Sequence, residues 1–195
     1  GPLKGFGNRL ITYLKKSDSR LKSLMEKDEI MSIRYTDRYL QSPSSLLMLA
    51  EMLGELSAQE NETTVMTCFD DKKGASSGFA IHHDWVHEDD YEVIFKGWLK
   101  KICGSNTSVV FNNKAEIPHR RCLELGFKSG SKAQVIFDQG LGYWRLKTER
   151  GFHNFDFRRS ILEQITRLGE TKKEAKIGHS DHCNWETYLT VNVES

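Results

Sequence analysis

The sequence lacks any apolar run long enough to cross a lipid bilayer, for which a helix needs roughly 20 consecutive apolar residues. It also lacks an excess of charge of either sign: 28 Lys and Arg residues stand against 27 Asp and Glu residues, a formal net charge of +1. This balance excludes a histone-like polycation. A hydrophobic content of 38% with 10% aromatic residues excludes a disordered chain. The 195 residues therefore predict one globular domain.

Cysteines are few and widely spaced, at Cys68, Cys103, Cys122 and Cys183, and no two of them form a CxxC pair. A zinc site built from all of these thiolates is therefore excluded. Since no secretory signal is present, we expect free thiols and a cytoplasmic location. The initial Gly1-Pro2 is typical of the residues that a protease leaves from an expression tag, so we expect an excised piece of a longer protein.

Several signatures of cofactor and metal sites are missing as well. The chain has no GxxxxGK[ST] loop, no GxGxxG after a strand and no HExxH helix. Two histidine-rich stretches, 82–87 and 179–182, include His83 and His87 at a spacing of four, but neither stretch has the spacing of an established zinc motif. We therefore expect no metal and no other cofactor.

Hydrophobic periodicity predicts alternating strands and helices in the first half of the chain. The predicted elements are an amphipathic helix over 6–25, a strand over 30–35, a helix beginning at Pro43, a strand over 63–69, a helix over 84–102 and a strand over 107–111. A strand, a helix and a strand in succession favour a parallel pair with a right-handed crossover.

The second half predicts shorter elements separated by glycines. Strand-like runs cover 121–127, 133–138 and 143–147, which indicates antiparallel hairpins, and a helix over 156–168 and a strand over 185–193 follow. Together these elements predict an α/β fold with a mixed sheet flanked by helices. We divide the chain into a tag scar at 1–2, an N-terminal amphipathic helix at 3–29 and a single α/β domain at 30–195.

The first candidate site is Asp37-Arg38-Tyr39, directly after the first predicted strand. Ligands of open α/β sheets bind beyond the carboxyl ends of the strands, and the following helix N-terminus attracts phosphate. These three residues are therefore candidate phosphate ligands. A salt bridge that only orders the loop explains the same residues.

The second candidate site is His119-Arg120-Arg121, where alternation places His119 and Arg121 on one face of an extended run. Such a His-x-Arg pair can bind a phosphodiester. Asp138 begins a turn that contains Trp144, and its carboxylate can orient the two cations if the strands pair. A basic surface patch and ordinary turn chemistry are the alternatives.

Taken in order, these segments resemble the phospholipase-D-like superfamily, in particular its non-catalytic branch typified by the C-terminal domain of MIT-domain proteins. That branch has an Asp-Pro-Tyr-like motif before an apolar helix, matched here by Asp37-Arg38-Tyr39. It later has a His-Asp-Arg-like strand and a Gly-Arg-Gly-Leu-Asp-Tyr-Phe-like turn, matched by His119-Arg120-Arg121 and residues 138–144. The resemblance covers about residues 30–146 and implies a phospholipase-D-like sheet.

The departures from the enzymes of this superfamily imply that the domain is not an enzyme. Those enzymes use His-x-Lys-x4-Asp, with the histidine as covalent nucleophile. Here Arg121 replaces the lysine and Gly126 stands where the aspartate would fall. A degenerate nuclease that still uses His119 is the catalytic alternative.

The segment Arg34 to Pro43 also resembles a signature near the C-terminus of large bacterial helicase-type proteins of anti-phage defence. The resemblances together imply an accessory module that binds DNA for a larger ATP-driven protein. Arg38, His119 and Arg121 would hold backbone phosphates, and Tyr39 or Trp144 would stack on a base. Two alternatives remain. One is a module that binds phospholipid headgroups, which the basic face of the first helix supports. The other is a domain that docks on its parent chain or on complex subunits.

Overall fold

The computed structural model describes residues 1–38, 40, 43–68, 88–138, 141, 145–148, 151–152, 160–178 and 189–195. Its helices are α1 (Phe6–Ser17), α2 (Ser19–Lys27), α3 (Pro43–Glu55), α4 (Glu88–Cys103) and α5 (Ile161–Glu174). Its strands are β1 (Ile30–Thr36), β2 (Glu62–Cys68), β3 (Thr107–Asn112), β4 (Arg121–Phe127), β5 (Lys132–Phe137), β6 (Arg145–Thr148), β7 (Gly151–Phe152), β8 (Lys176–Gly178) and β9 (Leu189–Glu194). A short 3-10 helix covers Lys114–Glu116.

A six-stranded mixed sheet forms the centre of the fold, in the order β3-β2-β1-β4-β5-β9. Strands β1, β2 and β3 run parallel, with Arg34 opposite Thr64 and Val65 opposite Val109. Strands β4, β5 and β9 complete the sheet in antiparallel pairs. The predicted α/β class, the mixed sheet and the parallel first pair are therefore confirmed.

The core lies between one face of this sheet and a layer of helices. Alternate strand residues such as Tyr35, Val65 and Leu123 are fully buried in the same cluster as the apolar residues of α1, α3 and α4. Helix α3 lies between α1 and α4, and α5 contacts α4. Because α3 has neighbours on several sides, its residues from Pro43 to Ala50 are all buried.

The predicted single helix over 6–25 is wrong, because one helix ends before Asp18 and another begins after it. This residue adopts an extended backbone, and its carboxylate accepts hydrogen bonds from the backbone N–H groups of Arg20 and Leu21. The carboxylate therefore caps a second helix, α2. Apolar periodicity continues through the break, so the pattern alone concealed it. The division of the chain at residue 29 stays a prediction.

The predicted hairpin of 133–138 with 143–147 is also wrong. Strand β6 pairs with β7 and β8 in a separate three-stranded sheet, and β5 pairs with β9 instead. Helix α5 begins at Ile161 rather than 156, because Ser160 and Glu163 form a capping box, and it continues to Glu174. The expected starts of α4 at 84 and of the last strand at 185 lie outside the described residues. Among the described helices, none is long and apolar enough to cross a membrane.

Candidate anion-binding site

The two basic candidate segments meet at one edge of the six-stranded sheet. Parallel strands β1 and β2 end there, β4 begins there because it runs antiparallel to β1, and β5 ends there. The register places Thr36 opposite Cys122, so Asp37 and Arg38 lie beside the start of β4. Arg121 lies opposite Phe137, which puts Asp138 next to it. The topology thus brings together residues that are far apart in the sequence.

Asp37 is completely buried at this edge. Its Oδ2 accepts a hydrogen bond of 3.0 Å from the Tyr35 hydroxyl, and its Oδ1 lies 4.0 Å from Nε of Arg121. Its backbone N–H donates to the carbonyl of Met66 at 3.0 Å. A buried carboxylate costs several kcal/mol unless it is paired and hydrogen-bonded. Its partners here make Asp37 an anchor that positions Arg121.

Arg121 is held from two sides, and only 16% of its side chain is exposed. Besides the contact with Asp37, its Nη1 donates to the backbone carbonyl of Asp138. The described contact with Asp138 therefore uses its backbone carbonyl. The sequence instead predicted that the Asp138 carboxylate orients the cations. Asp138 itself is exposed. These two contacts fix the direction of the guanidinium, so it loses little side-chain freedom when it binds an anion.

Arg38 is half-buried and connects the end of β1 to the segment before β4. Its Nε donates to the carbonyl of Ile117, and its own carbonyl accepts a contact of 3.3 Å from Sγ of Cys68. The side chain therefore fixes the loop that carries His119. Arg38 is only partly buried, so solvent reaches part of this residue.

His119 and Arg120 are the exposed part of the site. Nη2 of Arg120 lies 3.5 Å from Oε1 of Gln134 on the neighbouring strand β5, so this side chain leans across the sheet face. The edge combines three arginines and one histidine with two carboxylates, the fully buried Asp37 and the exposed Asp138. The arginines outnumber the carboxylates, so the edge has a net positive charge, although the whole chain is nearly neutral.

Two of the candidate residues, Tyr39 and Trp144, lie outside the described residues, as do the turn residues 139–140 and the histidines of 82–87 and 179–182. Residues 74–78, which have the G-x-S-x-G spacing of hydrolase nucleophiles, also lie outside the described residues. Within the described residues, no group of His, Cys, Asp and Glu side chains has the arrangement of a metal site.

Sequence reasoning also missed the supporting residues Tyr35 and Ile117. Tyr35 was assigned to a strand, and its spacing of two from Asp37 was the signal that both side chains lie on the same face. Ile117 contributes only a backbone carbonyl, for which the sequence holds no signal.

The family model described as "DEAD/DEAH box helicase YjiV, C-terminal domain" matches residues 1–193. Comparisons with curated proteins and with solved structures gave no match. The match covers nearly the whole chain and agrees with the expectation of a C-terminal domain from a helicase-type protein. This chain therefore belongs to the family of C-terminal domains of the DEAD/DEAH box helicase YjiV.

Proposed function

We propose that this domain is a non-catalytic accessory module that binds the phosphate backbone of nucleic acid, DNA in the first instance, for its helicase. The observation that carries the proposal is the convergence of Arg38, His119, Arg120 and Arg121 at the carboxyl edge of the parallel strands. A DEAD/DEAH helicase uses ATP to act on nucleic acid, so a basic edge on its C-terminal domain has an obvious ligand. The expected location in the cytoplasm agrees with such a parent protein.

The exposed residues His119 and Arg120 make the first contacts with phosphate in this proposal. Arg121 and Arg38 lie behind them, where Asp37 and the carbonyls of Ile117 and Asp138 hold their directions. Preorganised guanidinium groups lose little side-chain entropy on binding, so a small patch can have measurable affinity. Asp37 then acts on the ligand only by orienting Arg121. Tyr39 and Trp144 remain the candidates for stacking on a base.

The phospholipase-D-like relationship is part of the same proposal. It rests on the order of the matching segments and on a mixed sheet in which they meet at one edge. A catalytic role is disfavoured, because Arg121 replaces the phosphate-binding lysine of that superfamily and Gly126 replaces its aspartate. The further expectation of a role in anti-phage defence rests on the short resemblance at Arg34 to Pro43.

Salt-dependent binding of oligonucleotides tests the proposal. We expect a His119→Ala, Arg120→Ala double variant to weaken binding of single-stranded and duplex DNA by about tenfold or more. For single strands, the slope of log K against log salt should fall by about 0.7 for each lost phosphate contact. Fluorescence anisotropy between about 50 and 200 mM salt measures both quantities. Both residues are exposed, so the fold should be retained.

The control is a Lys16→Ala, Lys22→Ala double variant, which removes at least as much formal positive charge from exposed positions on α1 and α2. The control should bind DNA like the unmodified domain. Equal losses in both variants would mean that only net charge matters and would overturn the site. The same control decides the lipid alternative, which requires these lysines for binding vesicles of anionic phospholipid. Cleavage of DNA by the unmodified domain would contradict the non-catalytic assignment.

A further inference from the structure

A row of polar side chains crosses the face of the six-stranded sheet that points away from the core. Arg34 of β1 pairs in register with Thr64 of β2 on one side and with Glu124 of β4 on the other. The row continues to Gln134 of β5 and Asn192 of β9. Side chains in register across a sheet lie on the same face. This face therefore carries an uninterrupted line of hydrogen-bonding groups beside the basic edge.

A shallow groove lies on this face, over strands β1, β4, β5 and β9. Its volume is about 210 Å³, below the roughly 300 Å³ of the smallest typical small-molecule pockets. A groove of this size suits one group of a longer polymer better than a complete free ligand. Its polar lining includes Arg34 and Lys132, both of which are exposed.

Gly126 lines this groove and has no side chain that would fill it. It lies opposite Ser32 of β1 and Lys132 of β5. A Cβ atom at residue 126 would come within 2.4 Å of Oγ of Ser32. The Ser32 hydroxyl therefore occupies the space that a Cβ would take, and the half-buried Gly126 lines the groove with its backbone.

Arg34 and Lys132 supply positive charge on either side of Gly126. Among the described residues, neither side chain has an ion pair or a hydrogen bond. Arg34 lies directly opposite Glu124, but the amide of Gln134 donates to this glutamate instead, at 3.3 Å. Strands lie about 4.8 Å apart and residues about 3.4 Å apart along them, so the Cα atoms of Arg34 and Lys132 are about 12 Å from each other. Both side chains are long enough to reach one group bound over Gly126.

The acidic residues of the groove limit what it can bind. Glu124 and Glu194 line it together with the two cations. These carboxylates disfavour a surface that is densely anionic, such as a membrane, but they accept hydrogen bonds from hydroxyl and amino groups. A single phosphate flanked by sugar hydroxyls and base amino groups fits this mixture. The amide of Asn192, which also lines the groove, has the donor and acceptor groups that recognise a base edge.

We propose that this groove is a second subsite for the nucleic-acid strand that is bound at the basic edge, with Arg34 and Lys132 holding one phosphate over Gly126. The inference rests on the proposed function. Arg120 connects the two subsites, because it belongs to the basic edge and contacts Gln134 of the polar row. The four residue steps from Arg120 to Glu124 span about 14 Å along the strand direction of β4, a distance that an extended single strand covers with a few nucleotides.

Oligonucleotide length separates the two subsites. The probes are single-stranded DNA oligonucleotides of about 4 and about 16 nucleotides, which bracket the site sizes of known single-strand-binding folds. We expect an Arg34→Gln, Lys132→Gln double variant to lose about tenfold in affinity for the long probe, with a salt slope smaller by about 0.7 per lost contact. Its affinity for the short probe should be nearly unchanged. The His119→Ala, Arg120→Ala variant should lose affinity for both probes.

A second variant, Gly126→Ala, tests the groove without changing any charge. Its Cβ displaces the Ser32 hydroxyl and changes the lining of the groove. We therefore expect weaker binding of the long probe alone, and a thermal melt checks that the variant remains folded. The charge control is a Lys16→Gln, Lys22→Gln variant, which should bind both probes normally.

The outcomes distinguish this inference from the proposed function. If both groove variants bind the long probe normally while the edge variant loses affinity, the groove subsite is overturned and the proposed edge site stands. Loss in the groove variants with normal binding in the edge variant overturns the edge instead. Failure of the unmodified domain to bind either probe overturns both proposals. If an acidic peptide binds through Arg34 and Lys132 but displaces neither probe, the nucleic-acid subsite is overturned in favour of a protein ligand.

Discussion

At the scale of single residues, Asp37 controls what Arg121 can do. Its carboxylate is fully buried, accepts a hydrogen bond from Tyr35 and lies 4.0 Å from the guanidinium of Arg121. Burial of this ion pair is unfavourable by itself, so its value lies in orientation rather than in net stability. The pair fixes Arg121 at the start of β4, where the candidate phosphate site lies.

Removal of this carboxylate should be costly. We expect Asp37→Ala to reduce the free energy of unfolding by about 3 kcal/mol, because it leaves a mostly buried guanidinium without its carboxylate. Tyr35→Phe, which removes only the hydroxyl, should cost about 1 kcal/mol. Denaturant titration measures both values. A cost for Asp37→Ala no larger than that for Tyr35→Phe would contradict the role assigned to the ion pair.

Three of the buried groups at this scale are thiols, which agrees with the expectation of free cysteines for the described positions Cys68, Cys103 and Cys122. Burial raises the pKa of the Cys103 thiol to about 12 and that of Cys122 to about 11. Thiolates are the reactive form, so both side chains are structural rather than nucleophilic.

At the scale of elements, capping residues determine where helices begin, even where the apolar periodicity is continuous. Asp18 caps the start of α2, and Ser160 with Glu163 caps the start of α5. Both starts lie inside stretches that the sequence predicts as uninterrupted helix. Burial raises the pKa of Asp18, but the hydrogen bonds from the Leu21 and Arg20 backbones and the charge of Arg20 outweigh it, so the pKa lies below its ordinary value. Such a carboxylate stabilises the folded state only while it is ionised.

The cap at Asp18 therefore predicts a pH dependence. At pH 7, Asp18→Ala should cost about 1 kcal/mol of unfolding free energy, while Asp18→Asn, which keeps an accepting oxygen, should cost less. Because the folded pKa is depressed, the contribution of the charge is complete above the unfolded value of about 4 and disappears as the pH falls through the folded pKa. The gap between the unmodified domain and Asp18→Asn should therefore close in acid. Chemical denaturation at several pH values measures it, and a gap independent of pH would refute the assignment.

At the scale of the whole molecule, the N-terminal helices complete the core instead of standing apart from it. Leu10 and Leu14 of α1 belong to the same buried cluster as α3. The two helices approach so closely that a Cβ at Gly7 would lie 2.1 Å from the carbonyl oxygen of Glu51. Glu51 also accepts from the backbone of Gly5 at 2.8 Å and pairs with Lys172 of α5 at 2.7 Å. One side chain thus links three elements.

This packing predicts the result of a truncation. A chain of residues 30–195 should be far less stable than the full domain or should aggregate, because it exposes the face of α3 that α1 covers and loses roughly 25 cal/mol for each Å² of apolar area uncovered. Size-exclusion chromatography and a thermal melt check this. Unchanged melting of the truncated chain would support the predicted division into an N-terminal helix and an independent α/β domain.

The sequence by itself determined the α/β class, the parallel β1–β2 pair and the two basic segments, because periodicity and charge are local properties that need no knowledge of distant residues. It also indicated Asp37, Arg38, His119 and Arg121 as residues that belong together. Only the tertiary structure decided that β6 leaves the main sheet and β9 joins it, since strand partners depend on competition for one sheet edge. It likewise decided that Asp37 is buried, that the carbonyls of Ile117 and Asp138 hold the arginines, and that Arg34 and Lys132 flank a groove at Gly126. Those facts depend on register and backbone position, which only the assembled chain defines.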